Sequence, residues 1–381
     1  AAEAVAAIRR QVELDRLIGE REGTAAERLR IARAEFLIGD GRPAEARADL
    51  EALIERAGLS QEALTARTML ARLLLGDGGR QRALELVEET LGADATNAEA
   101  LTLRGRIRIL GEDYDAAIED LRAAESQQPD VVETIRLLAV AHERNGNPDL
   151  AAARLAEAVE VSGHAPEPVL DYARHLLEED RPGFARDLLE RALEASPDDV
   201  RLIEAYARLR LAAGEFSAVE RIASQLRESP ESAGLGDRLM AAALSGQERY
   251  DETIRVLRGA YDEADRPLGY LAALVATHLR RDDMEAAERL VAEALERRPE
   301  DTGAIRLKGT LALVRGEPDA ARAAFEKAVE TAPGEAANHL ALFRLLARTG
   351  ALEAARAALE AGIARTDNPV LRLNRAMLLE R

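Results

Sequence analysis

Residues 98–131, AEALTLRGRIRILGEDYDAAIEDLRAAESQQPDV, form a 34-residue unit that recurs along the chain. Units of this length begin at residues 64, 98, 132, 166, 200, 234, 268, 302 and 336, and a partial unit begins at residue 370. An earlier unit covers residues 27–60 and is followed by three extra residues. A fixed period of this length is typical of stacked helical hairpins, in which each hairpin contacts only its neighbours.

The composition of the unit indicates how its two helices meet. If the sites are numbered 1 to 34, small residues recur at sites 8 and 20 and a larger apolar residue at site 24. In the unit quoted above these are Gly105, Ala117 and Leu121. Small residues let two helices approach closely, and the larger residue fills the space beside their crossing. A turn such as Gly-Asn-Pro at 146–148 separates the helices, because Gly ends the first and Pro fits the start of the second.

These residues resemble the tetratricopeptide repeat family. The residues that match its pattern best are Gly105, Tyr114, Ala117, Leu121, Ala124 and Pro129. The resemblance covers residues 27–369 and implies an all-α fold, a right-handed superhelical solenoid of about ten tandem 34-residue helix–turn–helix repeats. One departure is at site 4, where the family often has Trp. Four units carry a polar residue there, which weakens the expected packing: Arg30, Arg67, Asp237 and His339.

The period predicts the domain organisation. We expect an N-terminal helix, the end of a preceding repeat or a cap, in residues 1–26, and the start of a further repeat or a capping helix in residues 370–381. The ten repeats between them are predicted at 27–60, 64–97, 98–131, 132–165, 166–199, 200–233, 234–267, 268–301, 302–335 and 336–369. Gly234 and Gly236 weaken helix formation, so the segment 229–238 is a candidate hinge, and the segment 163–168 is a second one.

Composition excludes several classes of function. The net charge is −18 and only 3% of the residues are aromatic, which argues against nucleic-acid binding. We expect no membrane span, because no run of about 18 residues is free of charge. Cysteine is absent, so disulfides and thiolate metal sites are unavailable. The chain opens without Met and closes inside a unit, and we therefore expect a fragment or processed form of a longer protein.

The chain offers little catalytic chemistry. Its five histidines form no His-Glu-x-x-His motif and no pair of histidine ligands four residues apart, and no serine lies in a nucleophile-elbow frame. His142 and His278 both fall at site 11, on the face toward the neighbouring helix, and are predicted to be packed side chains. The sequence therefore predicts no catalytic residue, no metal site and no cofactor, and a protein that is not an enzyme.

The predicted site is the inner surface of the array. The family resemblance implies that sites 2, 5, 9, 12 and 13 face inward. Across ten units these fifty sites hold thirteen Arg, no Lys, seven Glu and no Asp, a net charge of +6. The residues predicted to bind protein are Arg72, Arg106, Arg136, Arg144, Arg174, Arg208, Leu75, Ile109, Leu177 and Leu211. Stacked arginines beside an apolar stripe suit an acidic or amphipathic segment of a partner.

A second interpretation of the same arginines is structural. Four inner-face glutamates are placed so that they could pair with these side chains across adjacent units: Glu99, Glu133, Glu167 and Glu204. The sequence does not decide between binding of a ligand and pairing within the array. The inner wall of the C-terminal half differs, because small residues such as Ala242, Ala276 and Thr310 make it less charged.

The leading functional hypothesis is a non-enzymatic scaffold that binds a protein or peptide. Ala-, Arg-, Leu- and Glu-rich units resemble the long arrays of bacterial exported proteins and lipoproteins, which implies a periplasmic, envelope or secretion-related setting rather than the cytoplasm. One alternative is a regulatory or adaptor arm of a larger enzyme whose catalytic domain lies outside this chain. Another is a self-assembling array, a homo-oligomer that forms through exposed terminal repeats.

Overall fold

A computed structural model describes residues 2–263, 267–366 and 368–379, and every regular element in these ranges is an α-helix. The helices of the N-terminal part are α1 Ala2–Gly19, α2 Thr24–Gly39, α3 Pro43–Ala57, α4 Gln61–Gly76, α5 Arg80–Ala93, α6 Ala98–Ile109, α7 Tyr114–Gln127, α8 Val132–Arg144, α9 Pro148–Val161, α10 Pro166–Glu178 and α11 Pro182–Ala195. Those that follow are α12 Val200–Ala212, α13 Phe216–Leu226, α14 Ala233–Gly246, α15 Tyr250–Glu263, α16 Leu268–Arg280, α17 Met284–Arg297, α18 Thr302–Val314, α19 Pro318–Thr331, α20 Ala336–Arg348, α21 Leu352–Thr366 and α22 Pro369–Leu379.

The helices form tandem hairpins, and the predicted all-α repeat solenoid is confirmed. Within a hairpin the two helices pack together, as α6 does with α7 and α18 with α19. First helices also contact the next first helix, as in α4 with α6, α6 with α8 and α16 with α18. Eight first helices begin within one residue of a predicted unit start, at 98, 132, 166, 200, 233, 268, 302 and 336. None of the helices in the described ranges has both the length and the apolar character needed to cross a bilayer.

The boundary between the first two hairpins differs from the sequence-based expectation. Residues 61–63, the three extra residues between the first two units, form the first turn of α4. The cause is the side chain of Ser60, which accepts a hydrogen bond of 3.2 Å from the Ala63 amide and so caps the helix three residues early.

The chain divides into two compact units. Unit 1 comprises Ala1–Leu202 and unit 2 comprises Ile203–Arg381. The division falls inside α12, and neither candidate hinge segment coincides with it.

Site 15, in the turn of each hairpin, adopts the left-handed conformation in all ten repeats. Six of the ten residues are glycine, at positions 41, 78, 146, 214, 316 and 350. The other four are Glu112, Asp180, Glu248 and Asp282, with φ between 55° and 63°. A left-handed residue at this place ends the first helix and turns the chain toward the second. Four repeats therefore hold a side chain in a conformation that glycine adopts more readily.

The helix crossings have the small and large residues that the sequence predicts. Ala46, Ala83 and Ala117 at site 20 are completely buried. Gly105 at site 8 lies so close to the second helix that an added Cβ would be 2.6 Å from Cγ of Leu121 at site 24. The same holds for Gly309, where a Cβ would be 2.6 Å from Cε1 of Phe325. Sites 8 and 24 thus meet directly in these two repeats, where glycine at site 8 makes room for the large residue at site 24.

Three of the four polar residues at site 4 have polar partners, contrary to the expectation that they weaken packing. Arg67 is buried, donates a 2.6 Å hydrogen bond to the carbonyl of Gly58 and pairs with Glu89 at 3.1 Å. The buried carboxylate of Asp237 pairs with Arg227 at 2.7 Å. Buried polar groups with such partners do not carry the cost of an unsatisfied group.

His339, a further site-4 residue, is also buried. Its Nε2 lies 2.9 Å from the carbonyl oxygen of Pro333. Three of the four polar side chains at this site are therefore buried beside a polar partner.

The segment around Gly236 is a close helix contact. Helix α14 runs continuously through Gly234 and Gly236. A Cβ at Gly236 would lie 2.7 Å from the carbonyl oxygen of Ala223, which belongs to α13. Glycine is needed here because the two helix backbones approach too closely for any side chain.

Candidate protein-binding surface

The predicted inner arginines of unit 1 are engaged with acidic side chains of neighbouring repeats. Arg72, on α4, reaches past α6 and donates hydrogen bonds of 2.8 and 2.9 Å to the carboxylate of Glu133 on α8. It also lies 3.4 Å from Glu99. Glu133 in turn is 3.8 Å from Arg106. Burial disfavours the charged form of Arg72, but the hydrogen bonds and negative charges of Glu133 and Glu99 together outweigh it and raise the pKa of Arg72.

The next repeats continue this pattern. Arg136 pairs with Glu167 at 2.9 Å and with Asp171 at 2.7 Å. Arg174 lies 3.3 Å from Glu178, one turn further along α10. The side chains of the Arg136–Glu167 and Arg174–Glu178 pairs are between 32% and 62% exposed, so each pair contributes only about 0–1 kcal/mol and can exchange with solvent or a ligand.

The remaining predicted arginines are less engaged with other repeats. Arg144 is exposed at the end of α8. Arg208 belongs to unit 2, is 71% exposed and pairs with Glu204 on its own helix at 2.7 Å. Glu99, Glu133 and Glu167 therefore pair with predicted arginines of other repeats, whereas Glu204 pairs within its own helix. Whether these arginines also bind a ligand stays a prediction.

The apolar residues predicted for the stripe are mostly part of the core. Leu75, Ile109 and Leu211 are half-buried and pack against clusters of buried side chains. Leu177 is 45% exposed. Only Leu177, among these four, presents a large apolar surface to solvent.

A pocket that the sequence did not predict lies in unit 2, between α14, α15 and α16. Its volume is about 530 Å³. Six of its lining residues occupy the predicted inner sites: Arg238, Ala242, Ser245, Gly269, Ala276 and Arg280. Thr253 and Leu257 of α15, both buried, complete it. Site 9 is alanine in α14 and α16, whereas five of the other repeats hold arginine there, and the small side chains leave space beside α15.

The polar groups of this pocket are predominantly donors. Arg280 donates a 2.7 Å hydrogen bond to Oγ of Ser245. In the described ranges neither Arg238 nor Arg280 forms an ion pair with a carboxylate, although both side chains are exposed. Burial, followed by the nearby charge of Asp237, raises the pKa of Tyr270, whose hydroxyl donates to the carbonyl of Gly234 at 3.2 Å. The pocket therefore offers two uncompensated positive charges beside an apolar lining.

Solved structures with a similar chain path include repeat proteins from three bacteria. The residue 41-to-end portion of MamA from Desulfovibrio magneticus RS-1 shares 16% identity, with a TM-score of 0.38, over 46% of this chain and 97% of that one. TTC0263, a thermophilic TPR protein of Thermus thermophilus, shares 22% identity, with a TM-score of 0.43, over 49% and 100%. PilF of Pseudomonas aeruginosa shares 19% identity, with a TM-score of 0.44, over 53% and 90%.

Comparison by sequence gives two results. No curated protein matches the chain. One tetratricopeptide repeat family model matches residues 68–132, 136–200 and 273–336, and a second matches residues 312–377. The three matches of the first model cover just over half of the chain. With the hairpins, crossings and turns described above, they show that this chain belongs to the tetratricopeptide repeat family.

Proposed function

We propose that the chain is a non-enzymatic scaffold that binds an acidic or amphipathic segment of a protein partner on the inner faces of its first helices. Tetratricopeptide repeat proteins are in general scaffolds for protein interaction. The observation that carries the finer proposal is the pocket between α14, α15 and α16. Its apolar lining suits one apolar side chain of a partner, and the guanidinium groups of Arg238 and Arg280 suit a carboxylate beside it.

The arginine pairs of unit 1 support the same preference. Their glutamate partners Glu99 and Glu133 are more than a third exposed, so a carboxylate of a partner can replace them without a large loss of stability. Glu133 already occupies the position that such a carboxylate would take between Arg72 and Arg106. Binding of a partner at Arg72 and Arg106 requires that its carboxylate displace Glu133. We therefore expect this binding to be weaker than binding at Arg238 and Arg280, which form no ion pair in the described ranges.

The proposal is tested with fluorescent peptides of one length in which leucine alternates with glutamate, and with a second set in which lysine replaces the glutamate. We expect the acidic set to bind and the basic set to be rejected. Replacing Arg238 and Arg280 together with Gln should weaken binding by at least about tenfold, because a charge-assisted hydrogen bond contributes about 1.5–3 kcal/mol. The matched control is Arg289→Gln with Arg322→Gln, both exposed on second helices.

A second variant separates the two regions. Replacing Arg72, Arg106, Arg174 and Arg208 together with Gln removes the predicted ladder and should weaken binding less than the change in the pocket. If this variant alone loses binding, the ladder is the site. If neither variant differs from the control pair, the inner face does not bind acidic segments and the proposal is wrong.

We further propose a bacterial envelope or secretion-related setting, which rests on the resemblance of the repeats to arrays of exported proteins. Cell fractionation of the native host tests it, since a protein found wholly in the cytosol would contradict it. The sequence that flanks residues 1 and 381 in the gene tests the alternative of an adaptor arm, because a catalytic domain there would support that alternative. Light scattering over a concentration series tests self-assembly.

A further inference from the structure

Three potential metal ligands meet in unit 1, outside the pocket described above. They are Glu143 on α8 and the pair His175 and Glu178 on α10, and one ligand atom from each lies within 4.8 Å of the other two. His175 and Glu178 are three residues apart, so both side chains lie on the same face of α10. Glu143 comes from the preceding first helix, near its C-terminal end.

The distance between His175 and Glu143 suits a shared ion. Nδ1 of His175 lies 3.4 Å from Oε1 of Glu143, which is long for a hydrogen bond. Two donor atoms bound to one tetrahedral zinc ion at about 2.1 Å each would be about 3.4 Å apart. His175 is buried, with 3% of its surface exposed, so its ring is held in place by the fold before any ion arrives. A ligand fixed in this way costs little conformational entropy on binding.

The charges around the cluster favour a cation. Within the described part of the chain, the one partner of the Glu143 carboxylate is the imidazole of His175, and a neutral imidazole leaves that negative charge uncompensated. Helices α8 and α10 both end beside the cluster, and helix C-termini attract positive charge. The carboxylate of Glu178 lies 3.3 Å from the guanidinium group of Arg174, and a bound ion would displace this arginine from it.

We propose that Glu143, His175 and Glu178 form a binding site for a divalent transition-metal ion of the zinc type. One imidazole and two carboxylates are ligands that zinc, manganese and iron(II) accept, whereas the imidazole disfavours calcium and magnesium. Three protein ligands leave at least one coordination position for water or for a group of a partner. The proposal does not depend on the peptide-binding function, because none of its three ligands is a residue predicted to bind the partner. Arg174, which pairs with Glu178, is the one residue that enters both proposals.

Calorimetric titration of the full chain with Zn²⁺ tests the site. We expect one ion per chain, and a rise in the melting temperature as the ion is added, since a ligand that binds only the folded state stabilises it. Glu143→Gln and Glu178→Gln should each weaken Zn²⁺ binding by more than about tenfold, given that loss of an outer partner of a ligand already costs about 10–100-fold. The double variant should bind no ion at this stoichiometry.

The matched control is Glu160→Gln. Glu160 lies 4.0 Å from His164, and among the described residues no third ligand joins this histidine–carboxylate pair, so the change should leave Zn²⁺ binding unaltered. Arg174→Gln gives an opposite expectation: it should tighten Zn²⁺ binding, because Glu178 loses its competing cation. A general loss of folding cannot mimic that result.

Cobalt(II) supplies a second readout. Bound at the site it should show visible absorption that His175→Gln alters, while the circular dichroism of that variant shows whether the helices persist. The proposal is overturned if wild-type protein binds no Zn²⁺ at a ratio of one to one. It is equally overturned if the Glu143→Gln, Glu178→Gln double variant binds the ion as tightly as wild type.

Discussion

At the scale of single residues, the left-handed turn position predicts where the protein gains stability. Glu112 and Glu248 occupy it with φ of 63° and 61°. A left-handed conformation costs a residue with a Cβ about 1–2 kcal/mol, and glycine avoids this cost although it loses more chain entropy on folding. We therefore expect Glu112→Gly and Glu248→Gly each to raise the free energy of unfolding by about 0.5–1 kcal/mol, measured by urea denaturation.

The control for this change lies seven residues away. Glu119→Gly, on the exposed face of α7, should lower the free energy of unfolding by about 1 kcal/mol, because glycine is a poor helix former. If Glu112→Gly also lowers it, the turn is not strained by its side chain. Both variants lose one glutamate, so the comparison is free of any difference in net charge.

His142 predicts a dependence of stability on pH. Its ring is buried and Nδ1 has no hydrogen-bond partner among the described residues, and burial, then the charges of Arg122 and Arg154, lower its pKa. Because folding lowers the pKa of His142, the unfolded chain takes up a proton more readily than the folded protein. The free energy of unfolding is therefore unaffected by this group above its unfolded pKa, about 6.5, and decreases as the pH falls from there through the pKa of the folded state. We expect wild type to lose more stability than His142→Gln between about pH 8 and about pH 5. Parallel loss in the two proteins would show that this histidine is not responsible.

At the scale of helices, two glycines of α14 should respond in opposite ways to the same substitution. Gly236→Ala places a Cβ against the carbonyl of Ala223 and should cost about 1–3 kcal/mol. A Cβ at Gly234 would lie 3.5 Å from the Tyr270 hydroxyl and 3.9 Å from Nη1 of Arg238, both ordinary contacts, so Gly234→Ala should be neutral or stabilise by up to about 1 kcal/mol. Thermal unfolding of the two variants, followed by circular dichroism, measures the difference. Equal effects would contradict the close approach of α13 and α14.

The helix scale also shows what the sequence can and cannot predict. Hairpins, turns and crossings repeat every 34 residues, so local patterns such as Gly105 with Leu121 identify them. Helix propensity does not reveal the role of Gly236, because propensity describes one helix and the constraint comes from a neighbouring backbone. Arg72 and Glu133 are 61 residues apart, and their contact depends on how far one hairpin is displaced from the next. The sequence shows that Arg72 and Glu133 could pair, but it does not show that they do.

The pocket and the metal cluster illustrate the same limit of local patterns. The alanines at inner sites of the C-terminal half can be recognised in the sequence. The volume of the pocket also depends on where the packing of α15 places Leu257 and Thr253, which line it. His175 and Glu178 lie on one helix at a recognisable spacing, whereas Glu143 joins them only through the stacking of α8 and α10. A search for histidine–carboxylate pairs three residues apart would have found part of this cluster.

At the scale of the whole molecule, salt should affect folding and binding in opposite directions. The chain carries a net charge of −18, and self-repulsion of that size disfavours the compact state. Its ion pairs are mostly exposed, so screening them removes little stability. We expect the melting temperature to rise modestly between about 20 mM and about 300 mM NaCl, while affinity for an acidic peptide falls. A melting temperature that falls with salt would show that the ion pairs outweigh the repulsion.

The constant spacing of the left-handed turn residues bears on how the number of repeats in the gene can change. From position 78 to position 350 these turn residues are 34 positions apart without exception. A duplication or deletion of 34 codons within this stretch of the gene would therefore leave every remaining turn in register with its own two helices. We therefore expect that unequal crossing-over between neighbouring repeats can change the number of hairpins without disturbing the turn inside any remaining hairpin.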